Sequence, residues 1–279
     1  MQFRMIDVEL APDEPMHITP YSDVHWDSRD CDRTGWLGHY KHRASLPNAR
    51  FINNGDFNNL VMPRDLKRHV PSASQEAYGA RDDYINHCLD DTIEAVQSMP
   101  NATWDMWGMG NHEYSALKFH NVDIPALICN RLGIYYGTYS GRLFYRIHRR
   151  GVPKHTLLFK LLYHHGAWGG QVIKGFGGAY RWAMPMGSWH VFCYGHNHSE
   201  NTHKEVYWDV LDDGTPKVFN RYFINTGGWA KSLSRDGQPP DYAEIAGHPI
   251  TTTGTPLIKV WYERKKPKFN MELRWTVES

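Results

Sequence analysis

Five short clusters of polar residues carry side chains able to grip a cation or move a proton. They are Asp23 and His25 in YSDVHWDS, Asp56 in FINNGDFNN, Asn111, His112 and Glu113 in GMGNHEYS, His164 and His165 in LLYHHGAW, and His196 and His198 in CYGHNHSEN. Single members mean little: with 17 histidines in 279 residues, about one His-x-His pair arises by chance. A Gly-Asn-His-acid string is rarer, roughly one shuffled chain in a hundred, and the ordered set is rarer still. The donors are carboxylate, imidazole and carboxamide, without thiolate. That mixture suits Mn²⁺ foremost, with Fe, Zn²⁺, Ni²⁺ or Co²⁺ also served. Ca²⁺ wants oxygens only, and a structural zinc favours sulfur. With His112 and Glu113 set aside and one histidine taken from positions 164 and 165, seven candidate donors are present, too many for one four-coordinate ion and suited to two ions sharing a carboxylate. Asp56 can be that carboxylate, because Gly55 lets the backbone come close.

These clusters need elements to bring them together. Apolar runs at 49–54, 103–109, 155–163, 189–194, 221–225, 256–263 and 271–277 read as strands. A helix is expected between Ser72 and Met99, opened by a Ser72/Gln75 capping box, with Ile85, Leu89, Ile93 and Val96 on one face and Pro100 ending it. The last four clusters directly follow apolar runs, so each falls where a strand gives way to a loop. In α/β sheets the loops at the carboxyl ends of strands gather in one crevice. Strands and helices mix in the first half and strands dominate the second, which gives an α/β class with mixed sheets and helices outside.

Composition sets the outer limits. Apolar residues are 41% and charged residues 22% of the chain, and the net charge is +1. No global field draws such a chain onto nucleic acid or anionic lipid. Cys31, Cys88, Cys129 and Cys193 are widely spaced, which argues against a thiolate cage or disulfide framework and for a reducing compartment. The acidic N-terminus has no secretory h-region and no apolar run is long enough to span a bilayer, so a cytoplasmic protein with no membrane partner is expected. No linker or repeat divides residues 1–279, so a single domain is expected, its motif-bearing core at about 16–230 and its C-terminal strands at 255–278 completing a sheet.

The series Asp23-Val24-His25, Gly55-Asp56, Gly110-Asn111-His112-Glu113, His164 and Gly195-His196-Asn197-His198 resembles that of the calcineurin-like metallophosphoesterases. The resemblance runs from residue 23 to 198, with INTGGW at 224–229 similar to the Asn-Gly turn that often follows the final histidines. It implies a four-layer α/β/β/α sandwich with two facing mixed β-sheets. It also implies Asp23, His25 and His198 as ligands of one metal, Asn111, His164 and His196 as ligands of a second, and Asp56 as the bridge. His164 is preferred to His165 because the family's ligand stands two before a Gly or Pro, here Gly166. His112 is implied as general acid or phosphate contact, with Glu113 placed to hold its ring and raise its pKa.

A metal-dependent phosphoester hydrolase, acting on a phosphodiester or phosphomonoester through a two-metal-activated hydroxide, is the leading expectation. The alternatives are a non-catalytic scaffold of the same fold that binds a protein partner, and a nuclease, which the near-neutral charge disfavours for long duplex DNA. The substrate, whether small molecule, nucleotide or nucleic acid, and the oligomeric state are not given by these residues. HYKHR (39–43) and PRDLKRH (63–69) read as basic loop segments, solvated or able to grip phosphates of a larger substrate, GAWGGQVIKGFGGAYRW (166–182) as a loop or flap over the site, and Asn58 and Asn59 as neighbours able to orient Asp56 or touch substrate.

Overall fold

The computed structural model describes residues 2–62, 83–168, 173–210, 213–231, 251–262 and 269–274. Two six-stranded mixed sheets face each other. The first contains β1 (Gln2–Leu10), β6 (Ser140–Arg149), β7 (Val152–His164), β8 (Val191–Tyr194), β10 (Pro216–Thr226) and β9 (Glu200–Val210), in that spatial order. The second contains β12 (Phe269–Arg274), β11 (Leu257–Tyr262), β2 (Met16–Tyr21), β3 (Ala49–Asn53), β4 (Thr103–Gly108) and β5 (Tyr136–Thr138). In the second sheet β11 pairs antiparallel with both β2 and β12.

Three apolar layers hold this together. Between the sheets lie Ile18, Ile52, Met106, Leu143, Phe159, Leu161, Val191 and Ile224, all nearly solvent-free. Outside the second sheet, α1 (Arg33–Ala44), α2 (Tyr84–Gln97), α3 (Asn111–His120) and α4 (Ile124–Leu132) pack Trp36, Tyr40, Leu89, Ala116 and Ile128 onto Tyr21, Phe51 and Trp107. Outside the first, α5 (Ile173–Ala183) packs Ala179 and Ala183 onto Leu162, Phe192 and Phe223. The layers therefore run α/β/β/α, as expected. Burial of each large apolar side chain contributes about 1.5–3 kcal/mol. Among the described residues no helix is long and apolar enough to cross a membrane.

Several elements differ from the sequence reading. Strands β1, β2, β5, β6 and β9 were not expected as elements; β1 alternates cleanly from Ile6 to Leu10 and buries Ile6, Val8 and Leu10, whereas β9 is a charged edge strand with weak apolar alternation. HYKHR is not a loop but the end of α1, which Asp32 caps through Gly35 N–H and whose last turn carries Lys41, His42 and Arg43 against the negative end of the helix dipole. The glycine-rich stretch becomes α5 from Ile173 onward; Gly178 is needed there because a Cβ would run into the Trp168 indole. Helix α2 matches the expected apolar face, but the Ser72/Gln75 box and PRDLKRH lie outside the described residues.

One buried polar relay in the α1 layer makes stability depend on pH. His39 Nδ1 is 2.9 Å from the Tyr21 hydroxyl, and its Nε2 accepts from Arg43 Nε at 3.0 Å, so the ring is neutral. Burial, and then the Arg43 charge, depress its pKa from 6.5 to about 3. Between those values the unfolded chain binds a proton that the folded chain refuses, so stability present at neutral pH is lost as pH falls below 6.5. The loss from this group is about 2 kcal/mol at pH 5. The melting temperature of the metal-free protein is expected to drop between pH 7 and 5, and to drop less in His39→Gln; equal slopes would refute the assignment.

Candidate metal centre

The five clusters meet at one end of the inter-sheet layer, at the carboxyl ends of β2, β3, β4, β7 and β8. The loops after β2 and β3 are zipped together by Asp23 N–H to Gly55 O and His25 N–H to Asp56 O, each 3.1 Å. Gly55, at φ 99°, abuts the third loop: a Cβ there would lie 2.5 Å from Gly110 N. Gly110 in turn faces the Asp56 carboxylate, and Gly195 faces Ser22 and Asp23, so closely that neither site has room for a side chain. The glycines of the motifs therefore exist for close approach. Residues 225–229 buttress this end: Trp229 N–H donates to Asp23 O at 3.0 Å, and Asn225 Nδ2 donates to Asn197 Oδ1 at 2.5 Å.

Backbone strain is concentrated here. Among the described residues ten non-glycine positions have positive φ, and five of them are Asp23, His25, Asp56, His196 and His198. Each left-handed residue costs about 1 kcal/mol or more, a cost that clusters at functional sites.

The donor atoms form three overlapping groups, each within 4.8 Å: Asp23, His25 and His198; His25, Asp56 and His112; Asp56, His165 and His196. His25 Nε2 is 3.2 Å from His198 Nε2, and His165 Nε2 is 3.1 Å from both Asp56 Oδ2 and Asn111 Oδ1. Asn111 Oδ1 is also 2.7 Å from His196 Nδ1. Donors about 3 Å apart are what bonds of about 2.0–2.2 Å to a common ion require. Asp23 Oδ1 is buried with no hydrogen-bond partner and only His198 Nε2 near it, at 3.6 Å, while Oδ2 accepts from Ser22 Oγ and from His196 N–H at 2.9 Å. A solvent-free carboxylate oxygen left in this way is costly unless a cation satisfies it. The residues therefore fit divalent metal ions, and clusters of His and Asp able to hold them are present.

Outer contacts orient the donors. His165 Nδ1 is 3.0 Å from the Asn54 carbonyl, which can only accept, so Nδ1 carries hydrogen and Nε2 points to Asp56 and Asn111. His25 Nδ1 is held by Asn59 Oδ1 at 3.2 Å, turning its Nε2 toward His198. The N-terminus of α3 serves Asp56, whose Oδ1 accepts His112 N–H at 2.9 Å. Electrostatics follow the geometry. Burial opposes charge on Asp56, but His165 and His112 outweigh it and hold this carboxyl well below the usual range. Burial likewise opposes charge on His165, yet Asp56 pushes it up to about 9. His25 is driven down by burial and by its neighbours His112 and His198.

Two expectations are corrected. His164 was preferred as ligand, but its ring turns away from the donor groups: Nδ1 accepts Gly166 N–H at 2.9 Å, and the ring packs 4.8 Å from Trp168 and 4.5 Å from Trp182. Strand alternation sends residue 164 to the α5 side, leaving His165, fully buried, beside Asp56 and His196. Glu113 was expected to hold the His112 ring. Its carboxylate instead accepts three backbone N–H groups, from Gly110 and Asp56 at 2.9 Å and Asn58 at 3.1 Å, and ties two motif loops to the start of α3. Burial and the Asp56 charge raise its pKa to about 8, against the pull of those donors. The His112 ring is held by the Asn59 carbonyl, 2.6 Å from Nδ1. The roles of Asn54 and Asn59 escape motif reading, although their place in the NNGDFNN string flanking Asp56 is the signal that could have found them.

No protein-family model matches the chain, and no curated protein matches it by sequence. Among solved structures, Vps29 of Chaetomium thermophilum aligns at TM-score 0.35 and 8% identity, over 94% of this chain and 95% of that one. The Thermotoga maritima protein TM1076 aligns at TM-score 0.32 and 12% identity, over 94% of this chain and 99% of that one. Both likenesses are too loose to bear on function, which rests on the site itself.

Proposed function

We propose that this chain is a metal-dependent phosphoester hydrolase whose two divalent ions are held around Asp56. Asp23, His25 and His198 would hold one ion, Asn111, His165 and His196 the other. The observation that carries this reading is the convergence of Asp, His and Asn donors, without cysteine, on a buried carboxylate, beside an Asp23 oxygen with no hydrogen-bond partner. When bound, such an ion pair supplies a water acidic enough to attack phosphorus near neutral pH and neutralises charge on the phosphoryl oxygens.

The protein's own part is orientation and proton supply. His112 Nδ1 carries its hydrogen toward the Asn59 carbonyl, so Nε2 is the nitrogen that handles a proton at the site. His112 sits 4.7 Å, ring to ring, from His25. From there it protonates the leaving alkoxide, and the Asn59 carbonyl stabilises the imidazolium that precedes transfer. Asn54 and Asn59 fix the rings of His165 and His25, so that the donors need no reorganisation.

The test is hydrolysis of chromogenic phosphodiesters and monoesters with added Mn²⁺, with and without chelator. The account expects chelator-sensitive turnover; bound ions without turnover of any ester would refute hydrolysis and favour a binding scaffold. His112→Ala is expected to keep both ions and lose about 10²–10⁴-fold in rate on poor leaving groups, with a much smaller loss on nitrophenolate. Equal losses on both would remove the proton-donor role.

A further inference from the structure

The hairpin of β9 and β10 overhangs its sheet. The strands pair without a register break from Glu200–Thr226 to Val210–Pro216, but β10 reaches β8 only between Tyr222 and Asn225. The outer part is therefore a two-stranded ribbon, an element that is marginal alone in water. One face is tied to the body. Tyr207 stacks on Phe219 at 5.2 Å, the Arg221 guanidinium lies 4.0 Å from the Tyr207 ring and 5.3 Å from Trp189, and Tyr180 Oη donates to Glu205 at 2.8 Å. The opposite face carries Val206, Trp208, Val210 and Val218, which are 59%, 72%, 51% and 65% exposed. Among the described residues β9 is also the end of its sheet. Edge strands are usually short, charged, broken by proline or bulged; β9 has eleven residues, no proline and no bulge, and its only edge defence is charge, at Glu200, Lys204, Glu205 and Asp209.

We propose that β9 pairs antiparallel with β9 of a second copy of this chain, about a two-fold axis through Val206, joining two ribbons into one four-stranded sheet. Symmetry leaves few registers, because facing residues must point to the same side and the residue on the axis faces itself. An axis at Lys204 or Glu205 sets that charge against its own copy, and an axis at Tyr207 sets Glu205 against Asp209. An axis at Trp208 pairs only Val206–Val210 of the strand, and one at His203 or earlier leaves Trp208 outside the pairing. The axis at Val206 opposes no like charges. It sets His203 against Asp209, Lys204 against Trp208, Glu205 against Tyr207, and Val206 against Val206. Trp208, flanked by Val218 on one side, gains the Lys204 stem directly and Val206 diagonally on the other, a cation–π and apolar contact together.

A cross-link reads this register. The four native cysteines are buried, so Val206→Cys adds the accessible thiol. Directly opposed residues lie about 4.5–5.5 Å apart between Cα atoms, within disulfide reach. Residue 204 would be displaced from its own copy by about 13 Å along the strand. Under mild oxidation Val206→Cys is expected to form covalent dimers at least about tenfold faster than Lys204→Cys. Sedimentation of the unmodified full chain at about 100 µM is expected to give a dimer, and Trp208→Glu to weaken it by at least about tenfold, with the melting temperature unchanged only at dilutions where both chains are monomeric. A monomer at that concentration, equal cross-linking at both positions, or a dimer untouched by Trp208→Glu would each overturn the proposal.

Discussion

Asp56→Ala is expected to release both metal ions at once and to cut phosphoester hydrolysis by at least about 10³-fold. Asp56 belongs to two of the three donor groups, which no other carboxylate does. Its Oδ1 takes the His112 N–H and its Oδ2 faces His165, so one side chain sets the spacing between the two halves of the site. Without it, His25 and His198 are left as neighbours of one half and His165 and His196 of the other, with no shared anion to offset two dications about 3.5–4 Å apart. Asp56→Asn should do nearly the same, since a carboxamide keeps one acceptor oxygen but not the charge. Metal analysis after reloading and dialysis, with circular dichroism to show that the fold persists, checks this. About two ions per chain in either variant would contradict the bridging role.

The second large effect separates adjacent histidines. His165→Ala is expected to lower metal content and to reduce turnover by at least about 10²-fold, because it removes a buried ring held by Asn54 and facing both Asp56 and Asn111. His164→Ala removes a ring packed between Trp168 and Trp182, so it should cost stability through the cavity, about 1–3 kcal/mol, and leave metal content unchanged. A reversed outcome, with metal lost from His164→Ala and retained by His165→Ala, would restore the family spacing rule over the geometry. His164→Ala makes no change in net charge at neutral pH, since burial pushes the His164 pKa down to about 4.

Much of the site could be read before the fold was known. Asp-x-His, Gly-Asp, Gly-Asn-His and Gly-His-x-His are local strings, and their glycines are demanded by close approach within a few residues of the candidate donors. What could not be read locally depends on partners distant in sequence. Glu113 looks like the companion of His112 because it follows it, yet its donors come from Asp56 and Asn58 on another loop. The choice between His164 and His165 turned on strand parity. The run before them is apolar on both faces because α5 covers one and the second sheet the other, and such strands hide their alternation. Lys160 was the usable mark: it shares parity with His164 and lies on the outer side, so His165 falls inward. α5 was obscured by glycines at 175, 177 and 178, one of which exists to seat Trp168. The charged edge strand β9 lacked the contrast that marks a half-buried strand, whereas β1 carried it in Ile6-Asp7-Val8-Glu9-Leu10, a legible signal that was missed.

The central claim is that side chains from five strand ends hold a pair of cations around one carboxylate. An anomalous-difference map from crystals grown with Mn²⁺ tests it directly. The account predicts two peaks, one on the Asp23, His25 and His198 side of Asp56 and one on the Asn111, His165 and His196 side. A single peak, or none beside Asp56 at saturating manganese, would contradict it.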